Sequence, residues 1–135
     1  MLPSDPSEFG AFLAAEGFRG AGWVCDSEPH APAADSPHGR HVICVNDVLA
    51  GAPSGSGPYP VGSAAVKETY NPDGTVRGRY LDARLRETAG AAGWYFYAPG
   101  GSPAGYGDDA TIAGACVGCH SAGGRDFVRR IPSGT

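Results

Sequence analysis

The sequence predicts an α+β domain, mainly an antiparallel β-sheet with short helices at its N- and C-terminal ends. Three observations carry this: short alternating apolar runs separated by Gly/Pro loops, one strong hairpin signal, and helical patterning confined to the two ends. A chain of 135 residues suffices for a single domain, 1–135, and is too short for two ordinary ones. Its 22 glycines and 12 prolines make up a quarter of the residues, yet 41% are apolar and 10% aromatic. That combination describes a compact, loop-rich domain rather than a disordered chain.

Residues 7–17 read as a short amphipathic helix, capped by Ser7 or Asp5 and stopped by Gly17. Residues 22–25 are a short strand candidate, followed by a loop over 26–39. Residues 40–46 alternate around Val42, Ile43 and Val45 and predict a buried strand, and 51–60 form another Gly/Ser/Pro loop. The clearest element is a hairpin, with extended runs over Ala64–Tyr70 and 75–85 joined by Asn71-Pro72-Asp73-Gly74. Trp94–Tyr97 is a further strand, ended by Pro99-Gly100-Gly101. A glycine-rich loop runs on to Asp109, and 111–120 predict a C-terminal helix with Asp108-Asp109 as its cap. No internal repeat is visible.

The formal net charge of −4 argues against a nucleic-acid or anionic-membrane partner, both of which reward a basic stripe. No apolar run approaches the ~20 residues that span a bilayer. Two of the four cysteines lie in Cys116-Val117-Gly118-Cys119-His120. C-x-x-C-H is the attachment pattern of c-type haem. One helical turn presents both thiols to the vinyl-derived carbons on one porphyrin edge, and the adjacent imidazole then points at the iron. The expected cofactor is therefore one haem c, attached through Cys116 and Cys119 with His120 as axial iron ligand. A zinc site would need four ligands, but Cys25 and Cys44 lie far upstream without paired spacing. A thioredoxin-like pair would sit near the start of a βαβ unit, not at the C-terminal end.

Haem attachment of this kind happens outside the cytoplasm, so a periplasmic location is expected. Met1-Leu2-Pro3-Ser4-Asp5 has no basic start and no apolar core, which implies a leader already removed. In an oxidising compartment Cys25 and Cys44 either form a disulfide or stay as two buried thiols.

The only methionine is Met1, which excludes the His/Met ligation common in electron-transfer cytochromes. The 15 residues after His120 contain no His, Met, Lys or Cys, so any sixth ligand comes from upstream: His30, His38, His41 or Lys67. Lys67 is the sole lysine among ten basic residues. Alternation puts it on a face with Ala65 and Thr69, and Glu68 on the other with Val66 and Tyr70. Unlike arginine, a buried lysine can become a neutral nucleophile; the alternative is a solvent-facing lysine paired across the hairpin. Arg125, Arg129 and Arg130 either pair with haem propionates or form a solvated C-terminal face. Trp94 with Phe96, and Tyr95 with Tyr97, read as sheet core.

The stretch Arg40-His41-Val42-Ile43-Cys44-Val45-Asn46, the segment Tyr59-Pro60-Val61-Gly62-Ser63-Ala64-Ala65-Val66-Lys67-Glu68, the strand Gly93-Trp94-Tyr95-Phe96-Tyr97-Ala98-Pro99, and the motif with Asp126-Phe127-Val128 behind it follow one another in order. Together they resemble the cytochrome P-460 family and its sister group, the β-sheet cytochromes c′ (cytochrome c′-β). The resemblance implies an antiparallel β-sheet protein, a homodimer, with one c-type haem and five-coordinate iron. It matches Lys67 to a lysine bonded to a porphyrin meso carbon in members that oxidise hydroxylamine, which hand electrons to an accepting cytochrome. Uncrosslinked members bind NO or CO in an apolar pocket. The distal arginine of some members falls on His41 in an ungapped alignment and on Arg40 after a one-residue shift. Alternation puts His41 on the face of Ile43 and Val45, which makes His41 the preferred pocket residue and, in the enzyme reading, the expected proton acceptor. Where some members carry a carboxylate soon after the proximal histidine, this chain has Ser121-Ala122-Gly123-Gly124. The base is then absent, or is His41, Glu68 or Asp126. The leading expectation is a hydroxylamine-oxidising haem enzyme; the alternatives are an NO/CO-binding protein and a His/His electron-transfer cytochrome using His41.

Overall fold

Six strands run antiparallel to their neighbours in the order β1-β2-β3-β4-β5-β6, a simple meander. They are β1 (Trp23–Cys25), β2 (His41–Asn46), β3 (Ala64–Tyr70), β4 (Val76–Arg84), β5 (Trp94–Tyr97) and β6 (Ala104–Tyr106). This computed structural model describes residues 1–32, 39–121, 124–128 and 131–132, with Cys119 as backbone alone. The mainly antiparallel α+β architecture is as the sequence predicts. No helix among the described residues is long and apolar enough to cross a membrane.

The sheet has two dissimilar faces. On one, Val42, Cys44, Ala64, Val66, Leu81 and Ala83 pack against Phe9, Leu13 and Phe18 from the N-terminal segment. That segment begins with Asp5 accepting from Ser7 N, runs through a 3-10 turn at Pro6–Glu8, and forms α1 (Phe9–Ala14). Helix α1 is shorter than the predicted 7–17. Glu16 adopts a left-handed conformation (φ 54°), and the chain turns at Gly17–Arg19 to bury Phe18. Gly17 is needed there, because a Cβ would lie 2.3 Å from Phe12 Cε2.

On the other face, Ile43, Val45, Trp94 and Phe96 pack with Leu49, Tyr59, Ile112 and Val128. Leu49 belongs to α2 (Asp47–Ala50), which the sequence reading missed; Asn46 caps it by accepting from Leu49 N. The chain from Ala110 to His120 is helical throughout: α3 (Ala110–Ile112), a wider π turn (Ala113–Val117) and α4 (Gly118–His120). Asp109 caps it by accepting from Thr111 N. Its docking depends on Gly105 of β6, where a Cβ would stand 3.2 Å from Ile112 Cγ1. Strand β6 also escaped the sequence reading, because it follows a Pro/Gly-rich turn in which Gly100 and Gly101 have positive φ.

The β3–β4 hairpin carries an irregularity that sets these faces. Tyr70 opposes Val76, but Thr69 opposes Gly78, so Arg77 is the extra residue of a bulge. Beyond it Glu68 faces Arg79, Lys67 faces Tyr80 and Ala65 faces Asp82. Cys25 and Cys44 are register partners on β1 and β2 and form a disulfide, which resolves the two readings open in the sequence.

Glu68 is almost fully buried at the α1 side of the sheet and is satisfied there. Tyr70 Oη donates to it at 2.6 Å and Arg79 Nε at 2.7 Å, and Arg19 Nη2 donates to the same carboxylate. Burial alone would raise its pKa, but the bonds from Tyr70 and Arg79 and the charges of Arg19 and Arg79 outweigh burial and hold it below the ordinary glutamate value. A lowered folded pKa contributes stability that is present above the ordinary glutamate range and lost as pH falls through the folded value. Glu68→Gln should therefore destabilise the protein by about 1–3 kcal/mol at neutral pH, since Arg19 and Arg79 lose a charged acceptor but keep Glu16. In thermal melts across pH, the variant should also lose part of the acid-side decline of the native protein; a superimposable profile would refute this.

Candidate functional site

The site is assembled where the C-terminal segment crosses the second face. Strand alternation puts His41, Lys67, Tyr80 and Asp82 on that face together with Ile43, Ala65 and Phe96. His41 opposes Thr69, and Asp82 opposes Ala65, so both are diagonal neighbours of Lys67. Diagonal neighbours stand about 7–8 Å apart, within reach of long side chains. His41, Lys67 and Asp82 thus form one polar diagonal across β2, β3 and β4.

His120 comes onto this diagonal from α4. Its Nδ1 lies 2.9 Å from Phe127 O and 3.2 Å from Asp82 Oδ2, and its ring meets the Phe96 ring edge-on at 5.5 Å. A carbonyl oxygen can only accept, so Nδ1 carries the proton and Nε2 keeps the lone pair. That is the arrangement of a ligating histidine whose second nitrogen is held from behind. Cys116 is half-buried in the same apolar cluster. Burial, with the nearby Asp82 carboxylate, pushes its thiol pKa up, as suits a thiol shielded from solvent. The Asp82 carboxyl is itself raised, by burial, although His120 and Lys67 both oppose the shift.

Phe127 O reaches His120 because of an unusual turn. Arg125 N donates to Val128 O at 2.9 Å and Val128 N to Arg125 O at 2.8 Å. Between them Asp126 (φ 44°) and Phe127 (φ 67°) are both left-handed, as a type I′ turn demands. Phenylalanine is a costly residue there, by about 1–3 kcal/mol, so the surroundings must hold the turn in place. They do so through Asp126 Oδ2, which accepts from Tyr59 N at 2.7 Å, and Arg125, which donates to Gly57 O and Pro53 O and covers the Tyr59 ring at 4.2 Å.

The structure brings His41, Lys67, Cys116 and His120 to one face. Arg40 is exposed and has the opposite parity to His41, because neighbouring residues of a strand point to opposite faces. His41 is buried, its Nδ1 2.9 Å from Gly39 O, which puts a proton on Nδ1. Its ring stacks on His30, 6.5 Å between centroids, and His30 Nε2 lies 3.5 Å from Asp26 Oδ1. Two of the carboxylates considered as bases are engaged elsewhere: Glu68 is on the α1 face among arginines, and Asp126 holds Tyr59 N. The carboxylate that does reach His120 is Asp82, which the sequence reading did not single out. Its signal was latent in the hairpin, but reading it required the bulge. His38, Arg129, Arg130 and the side chain of Cys119 lie outside the described residues.

The described residues are compatible with a group held by one thiol and one imidazole. The donor set is a thiol and an oriented imidazole from one helical turn, facing a wall of Ile43, Trp94 and Phe96. Asp126→Ala should remove a charge-assisted bond and keep a disfavoured backbone, costing about 1.5–3 kcal/mol. Hydrogen exchange should speed up at the Tyr59 amide in this variant, whereas Asp126→Asn, which tolerates the left-handed region, should keep most of the protection; equal exchange in all three proteins would refute this role. No protein-family model, no curated protein and no solved structure matches the chain.

Proposed function

We propose that this chain is a periplasmic c-type monohaem protein that oxidises hydroxylamine or a related small nitrogen species. Haem c would be held through Cys116 and Cys119 with His120 on a five-coordinate iron, as the C-x-x-C-H motif and the resemblance to the cytochrome P-460 family imply. The observation that carries this reading is the clamped His120, whose Nδ1 is engaged by Phe127 O and Asp82 so that Nε2 is left to ligate. The Cys25–Cys44 disulfide supports an oxidising compartment.

When bound, the haem supplies the redox chemistry, accepting electrons from substrate and passing them to an external cytochrome. The chain supplies ligation, pocket polarity and proton handling. Asp82 at Nδ1 makes His120 the more basic ligand. His41, on the same face as Lys67, is the proposed acceptor of a substrate proton, a task that suits histidine because its charge changes near neutral pH. Lys67 stands between His41 and Asp82 on the diagonal and is the residue expected to crosslink to the porphyrin. An apolar pocket would favour the NO/CO-binding alternative; a face bearing His41, Lys67, Tyr80 and Asp82 favours substrate oxidation. The expected homodimer follows from the resemblance.

Intact mass of the matured protein should show one covalent haem, and tryptic mapping should find Lys67 in a haem-linked peptide. Lys67→Leu should then alter the optical spectrum and abolish hydroxylamine oxidation. An unchanged haem mass and spectrum would sink the crosslink. Rapid NO or CO binding without turnover would select the gas-binding reading, and a ferric low-spin spectrum that resists added ligands the His/His one. Asp82→Asn should keep the haem but cost about 10- to 100-fold in hydroxylamine oxidation and raise the reduction potential, because it removes the anion behind the ligating imidazole. An unshifted potential would refute the role given to Asp82.

A further inference from the structure

Next to Asp82 the same face carries a second polar row that has donors and no anion. Arg84 and Trp94 are register partners on β4 and β5, and the backbone of Arg84 is bonded to Gly62 and Ser63, so Ser63, just before β3, stands beside Arg84 and Arg84 beside Trp94. All three are buried: Ser63 and Trp94 have no exposed surface and Arg84 is 7% exposed. Ser63 Oγ and Trp94 Nε1 are the buried side-chain polar atoms without a hydrogen-bond partner among the described residues. Arg84 donates from Nη1 to Tyr59 O and from Nη2 to Glu87 O at 3.2 Å. Both partners are neutral carbonyls, and no ion pair to Arg84 is found among the described residues.

A buried guanidinium without a counter-charge and two orphaned polar groups are each costly, and together they specify what would satisfy them. Indole N–H and guanidinium can only donate, and a serine hydroxyl can donate, so the complement is a charged acceptor. The planar fork of arginine matches a carboxylate. Arg84 is two residues, about 7 Å, from Asp82 along β4, and Asp82 touches His120. Through Tyr59, Arg84 is also tied to the turn that clamps His120.

We propose that Ser63, Arg84 and Trp94 form a buried carboxylate-binding site and that a haem propionate fills it, the second step resting on the haem reading above. The test uses the full chain matured with haem, with Trp94→Phe and Arg84→Gln beside the native protein. Intact mass establishes attachment, and resonance Raman reads the propionate bending band. Both variants should keep the haem and shift that band; where Arg84→Gln fails to fold, Trp94→Phe, which removes the N–H and keeps a ring, decides alone. Attached haem with an unmoved band overturns the site and leaves the haem reading standing. If no haem attaches, sodium acetate is titrated against sodium chloride at equal ionic strength, following the melting temperature. A rise with acetate alone, lost in Trp94→Phe, supports the site with a free carboxylate as its source while the haem reading fails; no acetate-specific rise overturns the site.

Discussion

One extra residue in β4 decides what both faces of the sheet contain. The turn closes with Asn71 N bonded to Thr75 O, and Tyr70 still opposes Val76 in that register. Had the ladder continued so, every later residue of β4 would point the other way, because the side-chain period of a strand is two. Leu81 and Ala83 would leave Phe9 and Phe18, and Tyr80 and Asp82 would turn away from Lys67. The bulge at Arg77 restores an apolar face for α1 and sends Asp82 to the C-terminal segment. Burial of Leu81 and Ala83 therefore also places the polar diagonal.

The two faces handle buried charge differently. On the α1 side, Glu68 is surrounded by Arg19, Arg79 and Tyr70, and Arg79 also donates to Leu13 O. That network is satisfied and ties the N-terminal segment to the sheet. On the other side, Asp82 has a raised carboxyl pKa, and among the described residues Arg84 meets carbonyls alone while Trp94 Nε1 and Ser63 Oγ are unpaired. Unsatisfied polar groups are rare in folded proteins and collect where another molecule completes the structure. This contrast between the two faces of one sheet is the reason the proposed site is placed on the second face.

The imidazole of His120 is oriented by a carbonyl seven residues on, in a turn that is held by a loop far away in sequence. A left-handed pair at Asp126 and Phe127 aims one carbonyl, and Tyr59 and Arg125 keep that pair in place. Strain in the turn is offset by contacts to the 53–59 loop, so ligand orientation is a property of packing between two segments that surround the sheet.

Alternation of apolar residues, the Asn71–Gly74 turn and terminal helical patterning were enough to place five of the strands and the helical chain ends, because these are local periodicities. The C-x-x-C-H spacing and the absence of an internal methionine are local signals too, and they carry the proposed haem reading. Tertiary structure decided what local patterns do not encode. A bulge is invisible to a period-two pattern, so the partnership of Asp82 with His120 could not be read beforehand, whereas alternation within β3 already put Glu68 on the face opposite Lys67. Strand β6 gains its place by pairing with β5 rather than by its own composition, and Arg84 acquires its meaning only once register sets it beside Trp94 and Ser63. Residue types and spacing determine which chemistry is available; register and packing determine which of those residues meet.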